Sequence, residues 1–167
     1  MYQVDEQIVH PMHGAGVIEE IIEKKINGVS RLYYVIKLSI GGMTVMVPVD
    51  SAEEIGIRNL IGVDRADQIL SMFGTVEIDM TTNWNKRYRE NVMRIKSGDM
   101  EEVVKVIKGL LVRERDHGLS TGERKMLLTA KQILISEVVL VKGLTYDAVE
   151  REILMQVDAV QVDAVTV

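Results

Sequence analysis

Residues 81–96 read TTNWNKRYRENVMRIK, and this stretch divides the chain into two unlike parts. Before it lie short runs rich in Val, Ile and Tyr separated by turn residues; after it the apolar residues recur with a helical period. Asn83 stands just ahead of the first periodic residue, and an asparagine there accepts a hydrogen bond from a free amide of the first turn. The spacing therefore predicts a helix capped by Asn83 and opening at Trp84, the single tryptophan of the chain. At 3.6 residues per turn Trp84, Tyr88, Val92 and Ile95 share one stripe, while Lys86, Arg87, Arg89 and Arg94 mostly point elsewhere. Two interpretations of this helix stand side by side. A flat apolar ring at a helix tip, flanked by ammonium and guanidinium groups, suits contact with a DNA backbone and wedging at a base step. The same residues equally describe a tryptophan closing a core beneath a solvated basic face.

Working toward the N-terminus, residues 7–48 predict β-structure, with runs QIVH, AGVIEEIIEKK, RLYYVIKLS and MTVMVPV. Asn27-Gly28 is a strong hairpin signal because both positions tolerate the positive φ of a type I′ turn, and Gly41-Gly42 supplies the next turn. Short strands joined this tightly predict a small twisted barrel or curled sheet. The segment HPMHGAG holds His10 and His13 at a spacing that metal ligands use, but no third ligand is placed by spacing and a Pro/Gly turn is the better account. Ser51 with Glu54 forms a capping box for a short helix, GIRNLIG offers a last strand, and Asp64 is expected to cap a helix ending at Gly74. TVEIDMTTN, residues 75–83, reads as the connector.

Beyond the opening stretch the chain is helical. Asp99 with Glu102 starts a helix whose stripe is Val103, Val106, Ile107, Leu110 and Leu111, stopped at His117-Gly118. Ser120 with Glu123 is a further capping box, opening a long helix through Met126, Leu127, Ala130, Ile133, Leu134 and Val138 to Gly143. Thr145 caps a last helix to about Val157, and the final ten residues are expected to be disordered. The fold class is α+β: a β-rich domain over residues 1–75, a compact helical bundle over 76–157, and a tail over 158–167.

The chain has 167 residues, 47% of them apolar and 27% charged, the balance of a globular protein. It contains no cysteine, which removes disulfides and thiolate metal sites. The start lacks signal-peptide features and no run approaches the roughly 20 apolar residues of a membrane span, so a cytoplasmic protein is expected. The net charge of −5 conceals an asymmetry: residues 1–80 carry 6 basic and 12 acidic residues, residues 81–142 carry 13 and 8, and residues 143–167 carry 1 and 5. A chain so balanced should bind free DNA weakly, because non-specific affinity comes from phosphate neutralisation. No Gly-rich phosphate loop, nucleophile elbow or metal-binding helix is present, and no nucleophile and base are paired by spacing. Neither enzyme activity, a metal nor a cofactor is expected; a hydrolase with a dispersed site is the alternative from another class.

The combination of HPMHGAGVIE, the VPV after the fourth strand, TNWNKRYRENVMRIKSGD and GLSTGERKMLLTAKQILISE resembles the CarD/CdnL family of bacterial transcription regulators over nearly the whole chain apart from the final ten residues. The resemblance implies a Tudor-like N-terminal barrel that binds the β subunit of RNA polymerase and a helical domain that contacts promoter DNA, in a monomer associated with the nucleoid through polymerase. It implies that Trp84 is a wedge in the minor groove at the upstream edge of the bubble, stabilising the open complex, with Lys86, Arg87, Arg89 and Arg124 as its basic companions. It also implies a polymerase contact at Lys24, Ile26 and Met46, although some members carry arginine where Met46 stands. The competing expectation is a polymerase-binding adaptor whose helical domain recruits a protein rather than DNA.

Overall fold

The computed structural model describes residues 1–79 and 81–165. Strands β1 (Gln7–His10), β2 (Gly14–Ile26), β3 (Val29–Leu38), β4 (Thr44–Pro48) and β5 (Arg58–Asn59) form one five-stranded sheet in the order β4-β3-β2-β1-β5. Every pairing is antiparallel. Asn27 and Gly28 have φ of 52° and 78°, as a type I′ turn requires, and they set the register from Ile26 opposite Val29 to Gly16 opposite Leu38. That register slips between Ile18 and Glu20, a bulge that increases the local twist of β2. Ile8, Ile18, Tyr34, Ile36, Leu38 and Val47 fill one side of the sheet together with Ala52 and Ile57. A short 3-10 turn (Val49–Ser51) leads into α1 (Ala52–Ile55) at Ser51. Ser51 occupies the N-cap position without capping: its hydroxyl accepts from Arg31 Nη2 at 3.1 Å, and Arg31 also pairs with Asp50 at 2.6 Å. The expected Ser51–Glu54 box is thus displaced by a stronger, charge-assisted partner.

The helical part comprises α2 (Val63–Thr75), α3 (Trp84–Lys96), α4 (Met100–Asp116), α5 (Thr121–Lys142) and α6 (Tyr146–Val165). Asp99 accepts from Glu101 N at 2.9 Å, Thr145 Oγ1 accepts from Ala148 N at 3.1 Å, and Gly143 ends α5 with φ of 65°. Three expectations are corrected. The N-cap of α2 is Gly62 rather than Asp64, and the helix passes Gly74 to end at Thr75. Helix α2 also does not belong with the sheet: Ile69, Leu70 and Phe73 are buried among Val103, Leu134, Val149 and Ile153, so by packing the division falls near residue 62 rather than 75. An amphipathic stripe specifies that a helix buries one side, not against what. Finally, α6 continues through residues 158–165, assigned above to a tail, while residues 166–167 lie outside the described residues. No glycine or proline follows Gly143, Val157 is buried, and Asp158 accepts from Arg115 of α4 at 3.3 Å.

Sheet and helices meet along α5. Arg58 donates from Nη1 and Nη2 to the two carboxylate oxygens of Glu137, both at 2.7 Å, and Ile61 N donates to Glu137 at 2.9 Å. Alongside, Ala15 N donates to Ser136 Oγ at 2.9 Å. Gly14, with φ of 90°, sits so close that a Cβ there would lie 2.4 Å from Ser136 Oγ and 3.2 Å from the α5 backbone. The HPMHGAG segment is therefore a turn, as expected, and its glycine is also the point where the sheet touches α5. His10 is buried in it and accepts from Met12 N through Nδ1 at 3.0 Å. Burial, with His13 beside it, lowers the His10 pKa to about 4.

Two outcomes are expected. Glu137→Ala leaves a guanidinium and an amide without their acceptor. Because Arg58 keeps about a third of its side-chain exposure and can turn to water, the cost falls at the lower end of the buried-pair range, roughly 3 kcal/mol, read by urea denaturation. Since His10 resists protonation in the folded chain but not in the unfolded one, stability falls as pH drops from about 6.5 toward 4 and is flat with respect to His10 above that window. Denaturation midpoints across pH, with and without His10→Gln, check this.

Candidate nucleic-acid interface

The site is built where the N-terminal ends of α3 and α5 meet. Asn83 has extended backbone and its Oδ1 accepts from Lys86 N at 3.1 Å, so α3 opens at Trp84 as its sequence requires. Trp84 is 43% exposed. Its ring stacks on Tyr88 with centroids 5.2 Å apart and planes inclined by 19°, and its Nε1 donates to Ser120 Oγ at 3.1 Å. Ser120 is itself the N-cap of α5 and accepts from Glu123 N at 3.2 Å. Trp84 thus closes no core, yet it is held at two places, by ring stacking and by its indole N–H.

Arg87 departs from expectation. Placed with the exposed basic groups above, it is 1% exposed and lies beneath the surface. Nε and Nη2 donate to Glu123 at 2.9 and 3.1 Å, and Nη1 donates to the carbonyls of Thr81 and Thr82 at 3.0 and 3.3 Å. The correction extends to Glu123, whose carboxylate serves Arg87 rather than returning to the Ser120 amide as a capping box would. The Arg87 guanidinium holds the Glu123 carboxyl below the usual carboxylate range, against the opposing effect of burial. Arg87, Asn91 and Ile95 follow one another at four-residue spacing and are the buried residues of α3, so the face the helix buries is turned away from the Trp84–Tyr88–Val92 stripe that the period picks out.

What remains on the surface is Lys86, Arg89 and Arg124. Lys86 keeps 63% side-chain exposure and approaches Glu90 only at 4.0 Å, while Arg124 lies just inside the start of α5. Arg94 is instead engaged by Glu102 at 3.4 Å. Helix N-termini carry free amides and a positive dipole end, so two adjacent ones with exposed cations favour an anionic partner. Among the described residues no group of three or more His, Asp or Glu side chains is arranged to hold a metal, and no helix is long and apolar enough to cross a membrane.

The sheet presents a second set. Lys24 is paired with Arg31, Ile26 with Val29 and Met46 with Val35, so side-chain alternation puts all three residues on the face opposite Tyr34 and Ile36. They are exposed, Ile26 by 46% and Met46 by 39%. Strand β4 lies at the edge of the sheet.

Comparison with known proteins finds family matches in both halves of the chain. Residues 68–154 match the family described as CarD, C-terminal domain, and residues 2–61 match the CarD-like/TRCF RID domain. The chain belongs to the CarD family. A relative from Bacillus subtilis (strain 168), described as "Putative transcription factor YdeB", is 38% identical over 145 residues, covering 87% of this chain and 95% of the relative. Family and relative alike point to transcription regulation. In this CarD-family protein the matched segments agree with the packing boundary, since the N-terminal match ends at residue 61, just before α2.

Substitution separates the buried arginine from the exposed cations. Arg87→Ala is expected to cost about 3–5 kcal/mol because it strands Glu123 and the linker carbonyls, whereas Lys86→Ala stays within about 0.5 kcal/mol; chemical denaturation distinguishes them. The contribution of the Arg87–Glu123 pair is present above the ordinary carboxylate pKa and is lost as pH falls through the depressed Glu123 value, so acid unfolding of Glu123→Gln should lack that component. Ser120→Ala is expected to lose about 1 kcal/mol and to red-shift Trp84 fluorescence.

Proposed function

We propose that this CarD-family protein is a transcription regulator that binds the RNA polymerase β subunit through its N-terminal sheet and stabilises the promoter open complex. In this account Trp84 seats in the minor groove at the upstream edge of the melted region. The observation that carries it is that Trp84 is exposed and immobilised together, by Tyr88 and Ser120. A ring pre-ordered in this way loses little further freedom on insertion. Insertion costs a few kcal/mol of unstacking per step, so it is favoured where the duplex is already distorted, as at the junction of a bubble. Preferential binding there shifts melted against closed promoter by the difference in the two affinities and no more. Lys86, Arg89 and Arg124 supply phosphate contacts around the ring, and Arg87 supports them from beneath.

The acidic balance of the chain, −5 in net charge, makes its own DNA surface weak. Tethering to polymerase raises the effective concentration enough to compensate. The exposed edge of β4 suits addition of a partner strand, where backbone hydrogen bonds supply most of the affinity and Lys24, Ile26 and Met46 supply side-chain contact. Reliance on the backbone explains how a methionine at position 46 serves where some members of the family carry arginine.

The test is the lifetime of a promoter open complex formed by purified bacterial RNA polymerase. Wild-type protein should lengthen it, Trp84→Ala should shorten it toward the factor-free value with polymerase binding retained, and Lys24→Glu should weaken polymerase binding itself. Unchanged lifetime with Trp84→Ala would leave the helical domain as a recruiter of protein rather than a DNA contact.

A further inference from the structure

A second feature adjoins Trp84. Between α3 and α5 lies a groove of about 250 Å³ lined by Tyr88, Val92, Ile95, Met126 and Thr129, with Lys125 at its rim and Met12 of the β1–β2 turn completing it from the sheet side. Tyr88, which stacks on Trp84, is one of its walls, and Gly122, whose added Cβ would lie 3.6 Å from Tyr88 and 4.0 Å from Trp84, marks where groove and stack join. The volume is below the roughly 300–1,000 Å³ of pockets that take drug-sized ligands, so it suits one planar group.

We propose that this groove is a pocket for a single nucleobase displaced from the duplex beside Trp84. The proposal rests on the DNA-contacting account of α3 given above and deepens it. Pockets for extruded bases combine stacking surfaces with a small number of polar groups at the base edge. Here Tyr88 supplies an aromatic wall, Val92, Ile95 and Met126 an aliphatic one, and the Thr129 hydroxyl a donor or acceptor. The Met12 thioether adapts to rings of different size. Charge selects this occupant over an apolar protein side chain: among the described residues the one charged lining residue is Lys125, no carboxylate lines the groove, and the neighbouring Arg124 is exposed, so a base arriving with its phosphate meets cations at the rim. A wedge that parts a base step also creates the unstacked base that such a pocket would receive.

The experiment uses the full chain and forked DNA carrying one unpaired 2-aminopurine at the junction, against the same fork with an abasic residue there. Affinity is measured by anisotropy at low salt and stacking by 2-aminopurine quenching. Wild type should bind the base-bearing fork about tenfold more tightly than the abasic one, in line with the value of stacking one base. Thr129→Phe, which fills the groove, should abolish that preference and the quenching; Val92→Phe serves if Thr129→Phe unfolds by circular dichroism. Equal affinity of wild type for the two forks, with both weakened by Trp84→Ala, overturns the pocket and leaves the wedge standing. No effect of Trp84→Ala on either fork overturns both. Weaker polymerase association by Thr129→Phe without DNA, or a change in its sedimentation, would assign the groove to a protein partner or a second copy and likewise overturn the proposal.

Discussion

A guanidinium taken almost wholly out of water has to be paired, and the pairing of Arg87 organises the end of the molecule that carries Trp84. Its Nε, Nη1 and Nη2 nitrogens reach the Glu123 carboxylate and two carbonyls of the connector in four hydrogen bonds, so a single side chain ties residues 81–82, α3 and α5 together. Burial makes the arrangement intolerant: removing either partner leaves a charge that cannot be solvated. The same condition explains why α3 meets α5 at its first turn, which in turn brings Ser120 within reach of the Trp84 indole. An exposed aromatic ring is thereby held by a network that lies mostly beneath it.

Helix α5 connects this end to the sheet. Ser120 and Glu123 serve the tryptophan side, and Ser136 and Glu137 serve Ala15, Arg58 and Ile61 on the other. Between Glu123 and Glu137 a helix rises about 21 Å, so the separation of the two surfaces is set by helix geometry rather than by a flexible connector. If polymerase is held by one surface and DNA by the other, as proposed above, such a spacer fixes the distance between them. The close approach at Gly14 and the two carboxylate bonds of Arg58 hold the sheet to that spacer.

Much of this was legible in the residues. The Asn27-Gly28 turn, the caps at Asn83, Asp99, Ser120 and Thr145, and the order of strands followed by helices rest on local chemistry, and the structure realises each. Where local signals failed, a long-range partner outcompeted the local one. Ser51 turned to Arg31, Glu123 turned to Arg87, and α2 left the sheet for the helical core. At the candidate site, Trp84, Lys86, Arg89 and Arg124 stand at the surface as their types suggest, while Arg87 does not. The period placed it off the stripe of Trp84, Tyr88 and Val92, yet the face that α3 buries is Arg87, Asn91 and Ile95, and a charge there is explained only by a partner far along the chain.

The sequence by itself determined the class of fold, most of the turns and caps and the tryptophan at a helix start, because turn φ values, caps and hydrophobic period act within a few residues. Only the tertiary structure decided which arginine is buried, which core α2 joins, how sheet and bundle are clamped along α5, and that Trp84 is both exposed and fixed. Those outcomes depend on pairs separated by tens of residues, such as Arg87 with Glu123 and Arg58 with Glu137, whose energies appear only once water has been excluded between them.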